Sequence, residues 1–403
     1  MTYDVDALRA RFPSLASGIA HFDGPGGSQV PDAVAEAIHA TLTSSISNRG
    51  RVTAAERAAD DVVREARRAM GDLLGADPRG VVFGRSTTQL TYDLSRTLAK
   101  TWREGDEVVV TRLDHDANVR PWVQAAEAVG AVVRWADFDP ETGELTGPDV
   151  AAVLSDRTRL VAVTGASNLI GTRPPLPDIA ALVHERGALL HVNGVHLTAH
   201  ESVDLAATGA DFFACSPYKF LGPHLGVLAA RPEVLEELAP DKLVPSSDEV
   251  PERFELGTLP YELLAGCTAT VEFLADLATT ATSDRRTRLR SAFGHITAHE
   301  GRLRERVEKG LEDVPGVTLW SRARLRTPTL LLTFENRDPA AAYRLLAVRD
   351  VNAPAGSFYA VETSRRLGLG DAGGLRVGIA PYTTDDEVDR LLEGLTRFVV
   401  ETG

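Results

Sequence analysis

Between residues 167 and 226, three polar clusters stand at the ends of apolar runs: SNLIGT (167–172), HVNGVH (191–196) and SPYKFLGPHLG (216–226). Lys219 has the widest chemical reach among them, because an amine held neutral by its surroundings condenses with a carbonyl compound. A lysine before a glycine turn also reads as a plain surface residue, and the segment alone leaves both readings open. GRSTTQLT (84–91) follows another apolar run and opens a helical pattern. Its hydroxyls and the free N–H groups of a helix start suit a phosphate, or serve simply as a cap. In DHDAN (114–118), His115 is either a ring that stacks on a flat ligand or a satisfied structural histidine. Arg376, in LRVGIA, offers a planar fork for a carboxylate, or an ordinary ion pair.

The elements that must position these residues are legible as apolar runs. VVF (81–83), EVVVTRL (107–113), AVVRWADF (131–138), RLVAVTGA (159–166), ALLHV (188–192), DFFAC (211–215) and GVLAA (226–230) read as strands. Helical patterns lie between several of them, notably at 86–102, 119–130 and 175–187. Strand, helix, strand repeated in this way implies an α/β fold with a mostly parallel sheet covered on both faces, with ligands collecting beyond the carboxyl ends of the strands. After a long amphipathic pattern at 285–314, the segments 327–334, 339–350, 374–380 and a helix capped by Thr384 and Glu387 predict a smaller α+β domain. The expected division is an N-terminal segment, 1–21, packing on the small domain, a large domain, 22–275, and a small C-terminal domain, 276–403. The polar stretch DLATTATSDRR (276–286) forms the joint.

Composition narrows the function. With 43 Lys and Arg against 57 Asp and Glu, a formal charge of −14 provides no general attraction for nucleic acid or an anionic membrane. No apolar run approaches spanning length and the first residues have no leader pattern, so the expectation is a cytoplasmic protein. Two cysteines, Cys215 and Cys267, fit neither a disulfide scaffold nor a cysteine-rich metal site, and no metal is expected.

TRLDHDANVRPW (111–122), ASNLIGT (166–172), HVNGVHLTAH (191–200), CSPYKFLGPHLG (215–226) and RVGIAPYTTDDEVDRLL (376–392) together resemble the class V aminotransferase group of fold-type I pyridoxal phosphate enzymes, and within it the cysteine-desulfurase-like members. The resemblance spans about residues 20–399 and implies the fold, the cofactor pyridoxal 5'-phosphate and a homodimer. It implies that Lys219 forms the imine and later moves protons at the substrate Cα, and that His115 stacks on the pyridine ring. Asn168 and His196 address the phenolic oxygen of that ring, and Thr87, Thr88, Ser216 and Tyr218 stand on the phosphate side. Thr258 reaches the phosphate of the neighbouring subunit, and Arg376 takes the substrate carboxylate. Arg49, in SNRG, and the FDGPGG loop (22–27) are expected at the entrance.

Two residues depart from that pattern. Asn193 stands where such enzymes place an aspartate that keeps the pyridine nitrogen protonated, and an amide donates a hydrogen bond without supplying charge. It reads as tuning for a weaker electron sink, as an inactivating substitution, or as tolerated drift. In AGSFYA (355–360), Tyr359 occupies the place matching the mobile cysteine of the desulfurases and is expected, with Arg376 and Arg49, among the substrate-binding residues, and both actual cysteines read as small core residues. The expected activity is therefore β-elimination or carbon–sulfur cleavage on a small amino acid or amino-acid conjugate, without a protein persulfide. Aminotransfer, epimerisation and decarboxylative or oxidative chemistry are the alternatives, and a catalytically inactive cofactor-binding protein is the non-enzymatic one.

Overall fold

The computed structural model describes residues 3–278 and 284–401. Seven strands build the main sheet: β1 (Val81–Gly84), β2 (Glu107–Thr111), β3 (Val132–Ala136), β4 (Thr158–Thr164), β5 (Leu189–Asn193), β6 (Phe212–Cys215) and β7 (Gly226–Ala230), in the order β1-β7-β6-β5-β4-β2-β3. All neighbours run parallel except at β7, which is antiparallel to β1 and β6. The mostly parallel α/β sheet is the one expected from the strand and helix rhythm, and it agrees with the fold-type I arrangement that the resemblance implies.

Successive apolar residues of these strands enter different cores. Val109 and Phe213 join one buried cluster, with Val63 and Leu73 from the helix at Ala54–Leu74. Val108, Val110 and Phe212 join the other, with Leu94 from the helix at Thr87–Ala99 and Trp122 from that at Arg120–Ala128. Period-two side chains that are apolar on both faces require helices on both faces, which is what the near-continuous valine runs encode. Where helices start, the caps are local: Thr53 and Glu56 form a capping box at Ala54–Leu74, and Thr384 and Glu387 exchange hydrogen bonds of 3.2 and 2.9 Å at Asp385–Glu401.

A second sheet holds β8 (Val317–Leu319), β9 (Thr329–Phe334), β10 (Ala355–Gly356) and β11 (Gly374–Gly378), all antiparallel, in the order β10-β11-β9-β8. It has its own core, in which Leu330, Leu332, Leu375 and Val377 meet Leu303 and Val307 of the helix Arg285–Leu311 and Leu391 and Leu395 of the last helix. The N-terminal residues touch both bodies. Ala20–His21 pairs with Val351–Asn352, and Arg9 meets Glu387 at 2.9 Å. Phe12 lies edge-on to Phe273, with ring centroids 5.6 Å apart. The joint expected at 276–286 includes residues 279–283, which lie outside the described residues.

Candidate functional site

Register aligns the strand ends: Thr164 sits beside Asn193, and Asn193 beside Ala214. Beyond them opens a cavity of about 260 Å³, walled also by the start of the helix Thr87–Ala99, the 22–27 loop and β11. Every predicted site residue except Arg49 and Thr258 lines it.

Lys219 ends the short turn Pro217–Lys219 that follows β6. Its Nζ donates to the carbonyls of Pro25 and Gly26 and lies 4.7 Å from the Tyr218 ring centroid. Burial, and then the positive charge of Arg376, pull its pKa down to about 7. On the strand beside it, Asn193 is buried, and its Oδ1 accepts the Val195 N–H at 3.1 Å. That donor fixes the amide orientation and leaves the NH2 for the cavity.

His115 is oriented by its own backbone, since its Nδ1 accepts the Ala117 N–H at 3.0 Å and the ring proton therefore resides on Nε2. Burial and the nearby Lys219 lower its pKa to about 4, so it is neutral near pH 7. Across the cavity, the Thr87 hydroxyl donates to the Cys215 carbonyl at 2.8 Å and lies 2.6 Å from Ser216 Oγ, which leaves Ser216 as the donor between them. Thr87 and Thr88 begin a helix whose first N–H groups have no internal acceptor. A Cβ at Gly226 would lie 2.3 Å from the Ser86 carbonyl carbon and 2.6 Å from Thr87 N, so this close approach of β7 to the helix start needs glycine.

Arg376 arrives from the other sheet on β11 and is 2 % exposed. One Nη donates to the Asn168 carbonyl at 3.1 Å, and Nε has no partner among the described residues. Among the described residues no carboxylate pairs with it within ion-pair distance, and burial lowers its pKa to about 9 despite the influence of Asp23. The Asn168 side chain donates to the Phe358 carbonyl at 3.0 Å, while its buried Oδ1 has no partner among the described residues. His196 is buried, with Nε2 3.0 Å from the hydroxyls of both Thr327 and Thr329, and burial holds it neutral.

Two predicted residues are not brought there. Arg49, expected at the entrance, lies outside this chain's own cavity: Asp60 at 2.9 Å and Glu252 at 3.1 Å hold its guanidinium in a separate cleft. Thr258 is exposed and outside this chain's own cavity. Conversely, sequence reading passed over Phe358, whose ring centroid lies 3.6 Å from Arg376 Cζ, and the two threonines that hold His196. Thr327 and Thr329 carry a signal in their spacing of two, which puts both hydroxyls on one side of an extended chain. Among the described residues, no group of three or more His, Cys, Asp or Glu is placed to hold a metal ion.

The family model for aminotransferase class-V matches residues 20–391. An uncharacterised protein of Mycobacterium tuberculosis, MT3887, is 35 % identical over 98 % of this chain and 99 % of its own length. A probable cysteine desulfurase of Pseudomonas aeruginosa is 30 % identical, covering 96 % of this chain and 97 % of that protein. Among solved structures, the cysteine desulfurase CsdA of Escherichia coli superposes with a TM-score of 0.87 at 24 % identity, over the whole of both chains.

Proposed function

Because the chain belongs to the class-V aminotransferase family, whose cofactor is pyridoxal 5'-phosphate, we propose that it is a carbon–sulfur or related β-eliminating lyase acting on a small amino acid or amino-acid conjugate. The observation that carries the choice is the absence of a thiol at the cavity. Cys215 and Cys267 are fully buried, neither lines the cavity, and burial raises both thiols, that of Cys267 to about 12. Sulfur therefore leaves with the departing group and is not carried on the protein.

The residues fit the cofactor. Hydroxyls and a helix start stand where a phosphate needs donors, an amide NH2 is free at Asn193, and buried Asn168 Oδ1 and Arg376 Nε lack partners. When bound, the cofactor supplies a carbonyl carbon conjugated to an electron-accepting ring. In the proposed reaction Arg376 takes the substrate carboxylate by two parallel hydrogen bonds, which orients the Cα–H bond. Lys219, largely buried and half neutral at pH 7, accepts the Cα proton, and the Pro25 and Gly26 carbonyls receive the ammonium that results. Neutral His115 covers one wall of the cavity without adding charge. Asn193 would hold a ring nitrogen through its NH2 without supplying charge, which suits a reaction that expels a leaving group from Cβ promptly.

The reading includes a homodimer in which Thr258 reaches the neighbour's phosphate group. Its support is the exposure of Thr258, and its place in the segment that leads into the helix Tyr261–Asp276. It also keeps the division at residues 21 and 275, supported by the separate core around β8–β11. No helix of the described residues is long and apolar enough to cross a membrane. To test the activity, the holoenzyme is incubated with cysteine and S-substituted cysteines, and pyruvate, ammonia, thiol, transamination products, inverted substrate and carbon dioxide are quantified. Pyruvate with thiol, and no persulfide on the protein by mass spectrometry, is expected. Turnover that yields only an amino-transfer product or the opposite enantiomer would replace lyase chemistry with the corresponding alternative.

A further inference from the structure

Among the described residues, Phe358 (φ 51°) and Tyr359 (φ 61°) are the one adjacent pair of non-glycine residues in the left-handed backbone region. A Cβ is disfavoured there, and bulky side chains most of all. Two hydrogen bonds hold the pair in place: the Phe358 carbonyl accepts from Asn168 Nδ2 at 3.0 Å, and the Tyr359 carbonyl from the Asp116 N–H at 2.8 Å. Core packing does not account for the aromatic ring at 359, which is 73 % exposed. Both rings nevertheless line the cavity. Phe358 covers the guanidinium of Arg376, and Tyr359 lies nearly parallel to His115, with ring centroids 5.3 Å apart and planes 28° apart. An exposed aromatic kept in an unfavourable conformation at a cavity mouth points to a ligand contact.

We propose that Tyr359, backed by Phe358, forms an aromatic wall that selects amino acids whose β-substituent carries a planar group, aromatic or heteroaromatic. This rests on the reading that an amino acid binds with its carboxylate on Arg376. The guanidinium that would seat the carboxylate lies against the ring of Phe358, the residue next to Tyr359, and all three line one cavity, which would bring the substrate side chain toward the exposed ring. That ring gives an open π face for offset stacking, and its hydroxyl makes no hydrogen bond to another described residue. Saturated groups of equal bulk fill the same space without the ring-to-ring term.

The test compares S-benzylcysteine with S-(cyclohexylmethyl)cysteine, which match in size and differ in planarity. Affinity for the holoenzyme is read from the rapid change in cofactor absorbance on stopped-flow mixing, before turnover, for the natural chain, Tyr359→Phe and Tyr359→Asn. Asparagine tolerates the left-handed backbone, so the segment keeps its shape. The planar ligand should bind about three- to tenfold more tightly in the natural chain and in Tyr359→Phe, and this preference should vanish in Tyr359→Asn. Equal affinities in the natural chain, or a preference that survives in Tyr359→Asn, overturns the wall and leaves the lyase reading standing. Failure of the holoenzyme to bind either ligand while it still binds cysteine also overturns the wall, whereas failure to bind cysteine as well removes the amino-acid reading and this inference with it.

Discussion

Lys219 should titrate as a base near neutrality. Its pKa of about 7 means that roughly half of the amines are neutral at pH 7, against about one in three thousand for a lysine at the ordinary 10.5. Because the pKa is depressed, the reactive neutral form grows as pH rises through 7 and is saturated well below pH 10. The chain has only four lysines, so trace acetylation of the apoenzyme, followed by peptide mass spectrometry, reports Lys219 against exposed Lys100 and Lys309 in the same digest. Labelling of Lys219 should have a midpoint near pH 7. Arg376→Met removes the like charge that is the second cause of the depression, after burial. Without that like charge the ammonium is less disfavoured, so the neutral-to-charged ratio at pH 7 should fall and the midpoint should move upward. A midpoint near 10 in the natural chain would refute the burial reasoning. A midpoint unmoved by Arg376→Met would show that the two cations do not communicate across the cavity.

Three other substitutions probe separate links. Asn193→Asp replaces an NH2 donor with a charged acceptor at a buried position, and should protonate the cofactor's pyridine nitrogen; nitrogen-15 shifts of labelled cofactor check this, and a nitrogen already protonated in the natural chain would refute it. Gly226→Ala forces a methyl against the backbone of Ser86 and Thr87, and should cost about 1–3 kcal/mol of stability in urea unfolding, together with weakened cofactor retention measured by dialysis. Thr258→Ala should weaken cofactor retention in both sites of a dimer while leaving the unfolding midpoint of the apoenzyme unchanged. A monomer at micromolar concentration that binds cofactor stoichiometrically would contradict that arrangement.

Much of the fold was legible because parallel strands buried on both faces need runs such as EVVVT and TRLVAVT, and because Thr384 announces a helix start through the glutamate three residues on. The cavity was legible where its residues sit at strand ends, since Asn193, Ser216 and Lys219 follow apolar runs directly. Arg376 could be assigned by resemblance, but its lack of an acidic partner is a fact of three-dimensional packing that no local pattern contains. The acidic partners of Arg49 were illegible for a similar reason: Asp60 lies near it in sequence, whereas Glu252 is about two hundred residues away, and their joint hold appears only in the fold. The left-handed turn at Phe358 and Tyr359 carries no glycine or asparagine to announce it, so the sequence conceals the conformation that presents both rings.

The enclosure of both cysteines has a practical consequence. With Cys215 and Cys267 fully buried, the native protein is silent to a thiol-reactive chromogen, so a thiol product can be followed continuously in the presence of stoichiometric enzyme without subtracting a protein signal. The same silence makes the chain a ready host for single-site labelling. A Tyr359→Cys variant would expose one accessible sulfur at the cavity mouth, to which a fluorophore could be attached to time the arrival and departure of ligands.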